Sequence, residues 1–175
     1  LLEVELTRRN IPFVKFGGLK FLEAAHIKDV LAFLRWAENP RDRVAGFRVI
    51  QLLPGVGPAT AGRLLERLAE TPNTWQAINE FDPPPSAGEY WRAFCEAFGL
   101  VAGNTTGWPA ELDLVCRWYV PHLERMYDDA VVRQADLVQL AQIASTYSTR
   151  ERFLTELTLD PPDATSDEAG VPILD

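Results

Sequence analysis

The apolar pattern changes period twice in the first forty positions. Residues 1–9 read as the end of a helix, with Leu2 and Leu6 on one face and Asn10 closing it. Residues 11–16 (Ile-Pro-Phe-Val-Lys-Phe) form a short β-type run, with Pro12 at its start, where a missing N–H is tolerated. Gly17-Gly18 breaks the chain. Over 23–37, Ile27, Val30, Leu31, Leu34 and Ala37 recur at helical spacing, which predicts an amphipathic helix. Helix, strand, glycine turn and helix make an α/β signature, but one strand cannot form a sheet. This part therefore needs partners outside it.

From residue 42 to about 147 the period is helical. The pattern predicts helices over 44–53, 58–70, 75–81, 89–98, 110–127 and 130–147. Tyr90, Trp91, Phe94 and Phe98 share one stripe, and Leu137, Leu140, Ile143 and Ala144 another. Asn39-Pro40 ends the first helix, 82–86 and 99–109 read as loops, and Pro121 predicts a break or kink. Thr149 is a good N-cap for a last helix running to about 159. Residues 160–170 are Pro-rich and acidic, and 171–174 read as a strand start. The expected fold is mainly α, with a small partial α/β portion from the two termini.

Composition narrows the picture. A hydrophobic fraction of 47% supports a real core and excludes whole-chain disorder. No run of about 18 apolar residues exists, so no membrane span is expected. Two cysteines cannot make a disulfide framework, no secretory signal is visible, and a reducing cytoplasm is the expected location. The chain also lacks a starting Met, which predicts that it is cut from something longer. The net charge of −8 argues against nucleic acid at first sight. The average hides an asymmetry: residues 1–70 hold 11 Lys/Arg against 8 Asp/Glu, and the remainder holds 6 against 17. Any polyanion-facing surface therefore belongs to the first part.

The sharpest local signal is Leu52-Leu53-Pro54-Gly55-Val56-Gly57-Pro58-Ala59-Thr60. An apolar helix runs into Pro-Gly-Val-Gly and a second helix starts at once, the layout of a helix–hairpin–helix. Two glycines permit a tight turn and a close approach to another surface. Val56 points back to lock the turn. The N–H groups of Gly57, Ala59 and Thr60 lie at the next helix's N-terminus, where they can hold a phosphate oxygen. Such a contact reads backbone and not bases. Thr60 adds a hydroxyl, and Arg63 lies one turn on. A plain tight helix–helix turn is the competing reading. A dinucleotide loop is discounted, because the third glycine, Gly62, has the wrong spacing.

Phe16-Gly17-Gly18-Leu19-Lys20-Phe21-Leu22-Glu23-Ala24-Ala25-His26-Ile27-Lys28-Asp29 resembles the GGxxFxxxxEIKD stretch of UvrD/Rep-type superfamily 1 DNA helicases. Ala32-Phe33-Leu34-Arg35, Asn39-Pro40 and Arg48-Val49-Ile50 continue the resemblance. Pro54-Gly55-Val56-Gly57 looks like the family's GIG motif. Arg152-Phe153-Leu154-x-Glu156-Leu157-Thr158-Leu159 looks like the segment that re-enters its motor domain. The resemblance implies that 1–38 and 148–175 flank, as parts of the second RecA-like motor domain, a helical (2B-like) insertion over 39–147. It implies a parent that unwinds duplex DNA 3′ to 5′ with ATP and Mg²⁺, and an insertion that holds the duplex at a single-strand junction. Gly55, Gly57 and Thr60 match that contact, and Lys28 and Arg35 match basic positions near the duplex. Lys28 and Arg35 stand seven residues apart and share one helix face. His26 stands where the family usually has Glu. No phosphate-loop motif is present, so no cofactor and no ATP hydrolysis are expected of this stretch by itself.

Other candidates are weaker. His26 and His122 lie far apart and near no Cys pair, which predicts no metal site. Cys95 and Cys116 have no evident base nearby, Asp128-Asp129 and Glu151 read as solvated helix ends, and Trp75, Trp91, Trp108, Trp118 and Tyr119 read as core. The alternative to a DNA-contacting part is an acidic helical protein-interaction module.

Overall fold

The computed structural model describes residues 8–9 and 18–159, and among them there is no strand. The helices are α1 (Gly18–Glu23), α2 (Ala25–Glu38), α3 (Arg43–Ile50), α4 (Pro58–Glu70), α5 (Thr74–Asn79), α6 (Gly88–Ala102), α7 (Ala110–Met126), α8 (Ala130–Ala144) and α9 (Arg150–Leu159). The chain is mainly α, as the periodicity predicts. The expected strands at 11–16 and 171–174, and nearly all of the expected helix at 1–9, lie outside the described residues.

Helix α2 is the centre. It packs against α1, α3, α6, α7, α8 and α9. Ten of its residues are buried, so its apolar stripe widens to most of the circumference. Phe33 and Trp36 carry the contact with α6 and α7. Trp36 stacks on Phe94 with centroids 5.7 Å apart, and Phe33 meets Phe98 edge-on at 5.8 Å. Each such aromatic contributes about 1.5–3 kcal/mol by leaving water. Two polar residues are buried on the same helix. Asp29 accepts from Arg48 Nε (2.7 Å) and from the Tyr119 hydroxyl (2.6 Å). The His26 Nδ1 accepts from Arg133 (3.0 Å), which leaves Nε2–H to donate to Asp136 (2.7 Å). His26 thus does not leave an unpaired gap at the position where the resemblance expects Glu.

Boundaries follow local chemistry. Asp42, Asn73 and Thr149 cap α3, α5 and α9, accepting from the N–H groups of Ala45, Gln76 and Arg152. The 23–37 helix begins at Ala25 instead, because the extended backbone of Ala24 (ψ 134°) separates it from α1. Helix α6 runs to Ala102, past the expected end at 98, so the loop is only 103–109. Pro121 does not break α7, which continues to Met126 with buried Trp118, Tyr119, His122 and Leu123 around it. Trp91, Trp118 and Tyr119 are core residues as expected, and Trp108 is half-buried, its indole N–H shared between the Ala144 and Tyr147 carbonyls. Trp75 differs. It is 42% exposed and lies over Gly99, where even a Cβ would meet its ring at 2.5 Å.

Candidate nucleic-acid interface

Helices α3 and α4 pack against one another and are joined by the turn 51–57. Its first half is closed by backbone bonds from Leu52 to Val49, from Leu53 to Ile50 and from Val56 to Leu53. Leu52, Leu53 and Val56 are buried. Val56 therefore acts by locking the turn, and its side chain is not available to a ligand. Gly55 has φ +74°, and a Cβ there would sit 1.8 Å from Ser86 Oγ. Ser86 in turn donates to the Pro54 carbonyl at 3.3 Å.

Gly57 is a different glycine. Its φ of −95° and ψ of −178° suit any residue, and a Cβ there would meet nothing within 4 Å. It is the N-cap of α4 with no side-chain cap bond, and Pro58 follows at the first helical position. The N–H groups of Ala59 and Thr60 are thus offered at the positive end of the helix on an open surface. Arg63 reaches back to Thr60 Oγ1 at 3.4 Å, which gathers both beside that terminus.

Helix α7 braces the turn from behind. Arg125 Nη2 donates to the Leu52 carbonyl at 2.5 Å. The His122 ring bonds the same residue's backbone, and its Nδ1 is buried without a partner. Burial lowers the His122 ring from 6.5 to about 4, with the Arg125 charge adding to the effect. The folded chain therefore keeps His122 neutral where the unfolded chain protonates it. Stability is expected to fall as pH drops from about 6.5 toward about 4, by roughly 2–3 kcal/mol, and to level off below. In urea titrations, His122→Gln should remove that component, and an unchanged slope would refute it.

Lys28 and Arg35 face a second feature, a groove of about 430 Å³ also lined by Leu31, Val44, Arg48 and Leu157. The Arg48 guanidinium holds both Asp29 and the Ala25 carbonyl. The N-terminal end of α2, with Lys28, thus lies beside the C-terminal end of α3, from which the turn departs. Arg35 lies toward the start of α3, alongside Asp42 in the same groove. The structure thus gathers the predicted residues into two groups, one on the turn and one along α2. The bracing residues Arg125, His122 and Ser86 escaped sequence reasoning, since each lies more than thirty positions from the turn residue it bonds.

The remaining candidates are quiet. Burial pushes the Cys95 thiol up to about 11, and burial with the Asp113 charge pushes Cys116 up to about 12. Neither is poised as a nucleophile.

Residues 1–76 match the UvrD-like helicase C-terminal domain. Over 80 residues the chain is 38% identical to a probable DNA helicase II homolog of Mycoplasma capricolum, covering 46% of this chain and 10% of that one. Over another alignment of 80 residues it is 39% identical to DNA helicase II of Haemophilus influenzae, covering 45% and 11%. It is 34% identical over 65 residues to the ATP-dependent DNA helicase PcrA of Staphylococcus epidermidis, covering 37% and 9%.

The similarity is to UvrD/Rep-type superfamily 1 helicases, and it lies in the first part of the chain. The matched part spans about a tenth of the length of these curated relatives. The UvrD-like region takes in α1 to α4, with Lys28, Arg35 and the whole 51–57 turn, and ends within α5. Helices α6 to α9, which cover α2 and brace the turn, lie beyond the matched residues.

Proposed function

We propose that this chain is the duplex-contacting, regulatory region of an ATP-dependent 3′–5′ DNA helicase acting in DNA unwinding and repair. Its role is non-catalytic: it grips the phosphate backbone of duplex DNA near a single-strand junction and sets the duplex against the rest of the motor. In this reading, 51–57 with α3 and α4 is a helix–hairpin–helix. Residues 39–147 are the inserted domain, 1–38 and 148–175 belong to the second RecA-like motor domain, and the parent works in the cytoplasm. The whole helicase supplies the site for ATP and Mg²⁺, and this stretch binds neither. One observation carries the proposal: the uncapped N-terminus of α4 opens at Gly57, where nothing lies within 4 Å of an added Cβ. Backbone N–H groups at such a terminus suit a phosphate oxygen.

A fluorescence titration with junction-bearing duplex at low and moderate salt tests this. Binding should be weak and should fall with salt, because one turn neutralises few phosphates. Gly57→Glu puts a carboxylate where the phosphate would sit and should weaken binding by about tenfold or more without altering the fold. Lys28→Glu should weaken it by several-fold and flatten the salt dependence. Affinities unchanged by both substitutions would reject the contact. The alternative, an acidic protein-interaction module, draws support from α8, where Val131 and Val138 share a face and are 82% and 60% exposed. That reading predicts no duplex binding at any salt.

A further inference from the structure

The helix pair α3–α4 has a second end, and its surface differs from the rest of this acidic chain. Among the described residues, Arg48, Arg67, Arg133, Arg150 and Arg152 each have a carboxylate partner. Arg41 and Arg43, at the turn that enters α3, are exposed and, like Arg63, Arg92, Arg117 and Arg125, have none, but these two stand together at one cleft. Both line a cleft of about 160 Å³, together with Leu65, Leu68, Thr71 and Thr74. No carboxylate lines it. The acid between the two arginines, Asp42, is engaged elsewhere: it caps α3 through the Ala45 N–H and lines the groove on the other side of the helix. The turn itself is fixed, since Asn39 Oδ1 accepts from the Arg41 backbone N–H at 3.1 Å. Two unpaired forked cations around a concave, carboxylate-free surface make an anion site.

We infer that the Arg41–Arg43 cleft is a second phosphate contact for the same DNA duplex that the Gly55–Gly57 turn holds. The inference rests on the duplex-gripping role proposed above and adds a second anchor to it. The spacing is suitable. Helix α4 has 13 residues, which at 1.5 Å per residue separates the cleft from the turn by about 20 Å. At 3.4 Å per base pair, that is about six steps of duplex. Two anchors that far apart fix the direction of the duplex axis along α3–α4, which a single hairpin leaves free to swivel.

The test uses the full chain and a fluorescent duplex, comparing wild type, Gly57→Glu, the pair Arg41→Ala with Arg43→Ala, and the pair Arg41→Lys with Arg43→Lys. The alanine pair should bind about three- to tenfold more weakly, and its slope of log affinity against log salt should be shallower by about 1. The lysine pair should keep most of the affinity, and circular dichroism should be unchanged in both. If Gly57→Glu weakens binding while the alanine pair changes neither affinity nor slope, the cleft is not a DNA contact and only this inference falls. If the alanine pair weakens binding while Gly57→Glu does not, the cleft stands and the hairpin contact falls. A wild-type chain that binds no duplex overturns both. Polyglutamate that binds wild type and not the alanine pair, with duplex binding equal in both, would assign the cleft to an acidic protein instead.

Discussion

Arg150→Ala is expected to destabilise the chain by about 3–5 kcal/mol, the largest single loss among its ion pairs. The guanidinium is 7% exposed and sits where α2, α6, α7 and α9 meet. Its Nε donates to Glu38 at 2.5 Å, its Nη1 to the Val101 carbonyl at 2.9 Å and to Glu111, and its Nη2 to Asn104 at 3.2 Å. Alanine would leave the Glu111 carboxylate, only 4% exposed, as a buried charge with its counter-ion gone. It would also take one donor from the Val101 carbonyl, which keeps the Asn104 N–H at 3.2 Å. Arg150→Lys keeps the charge and loses the fork, so its loss should be intermediate. Urea denaturation measures both. A loss for the alanine variant below about 1 kcal/mol would show that solvent, not Arg150, satisfies Glu111.

The second large effect separates the two glycines of the turn. Gly55→Ala should cost about 2–3 kcal/mol, because an L side chain is strained at φ +74° and its Cβ overlaps Ser86 Oγ. Ser86→Gly in the same background should recover the steric part and leave the backbone part, giving a measurable coupling between positions 31 apart in sequence. Gly57→Ala should change stability by less than about 1 kcal/mol, since its backbone is ordinary and its surroundings open. Thermal melts of the three variants decide this. Equal losses at Gly55 and Gly57 would mean that the turn needs both glycines for conformation alone, and would remove the reason to see Gly57 as an approach surface.

Much of the fold was legible because its signals are local. The apolar spacing over 25–38 and 130–144, the Asn39-Pro40 stop and the Thr149 cap all act within one or two turns of helix. The Pro-Gly-Val-Gly turn was readable for the same reason. What was not legible depends on distant partners. Nothing in 25–38 marks His26 and Asp29 as buried, because their partners, Asp136 and Tyr119, stand 110 and 90 positions away. The heptad spacing of Lys28 and Arg35 placed them on one face, but the groove beneath them is made by α3 and by Leu157 of α9. Pro121 misled because a local rule for helix breaking was outweighed by the burial of its neighbours. The Arg41–Arg43 cleft left no mark either: its far wall is made by Leu65 and Leu68 of α4, and Asp42 sits between the two arginines in sequence.

The central position of α2 also has a consequence in time. It is synthesised well before its cover: its C-terminal end is tied down by Arg150, which follows Glu38 by 112 residues. At about 5–20 residues per second, roughly 6–20 seconds of translation separate the two. Throughout that interval a helix with ten residues destined for burial waits for its cover. Nascent-chain chaperones should therefore hold residues 25–38 until α9 has emerged.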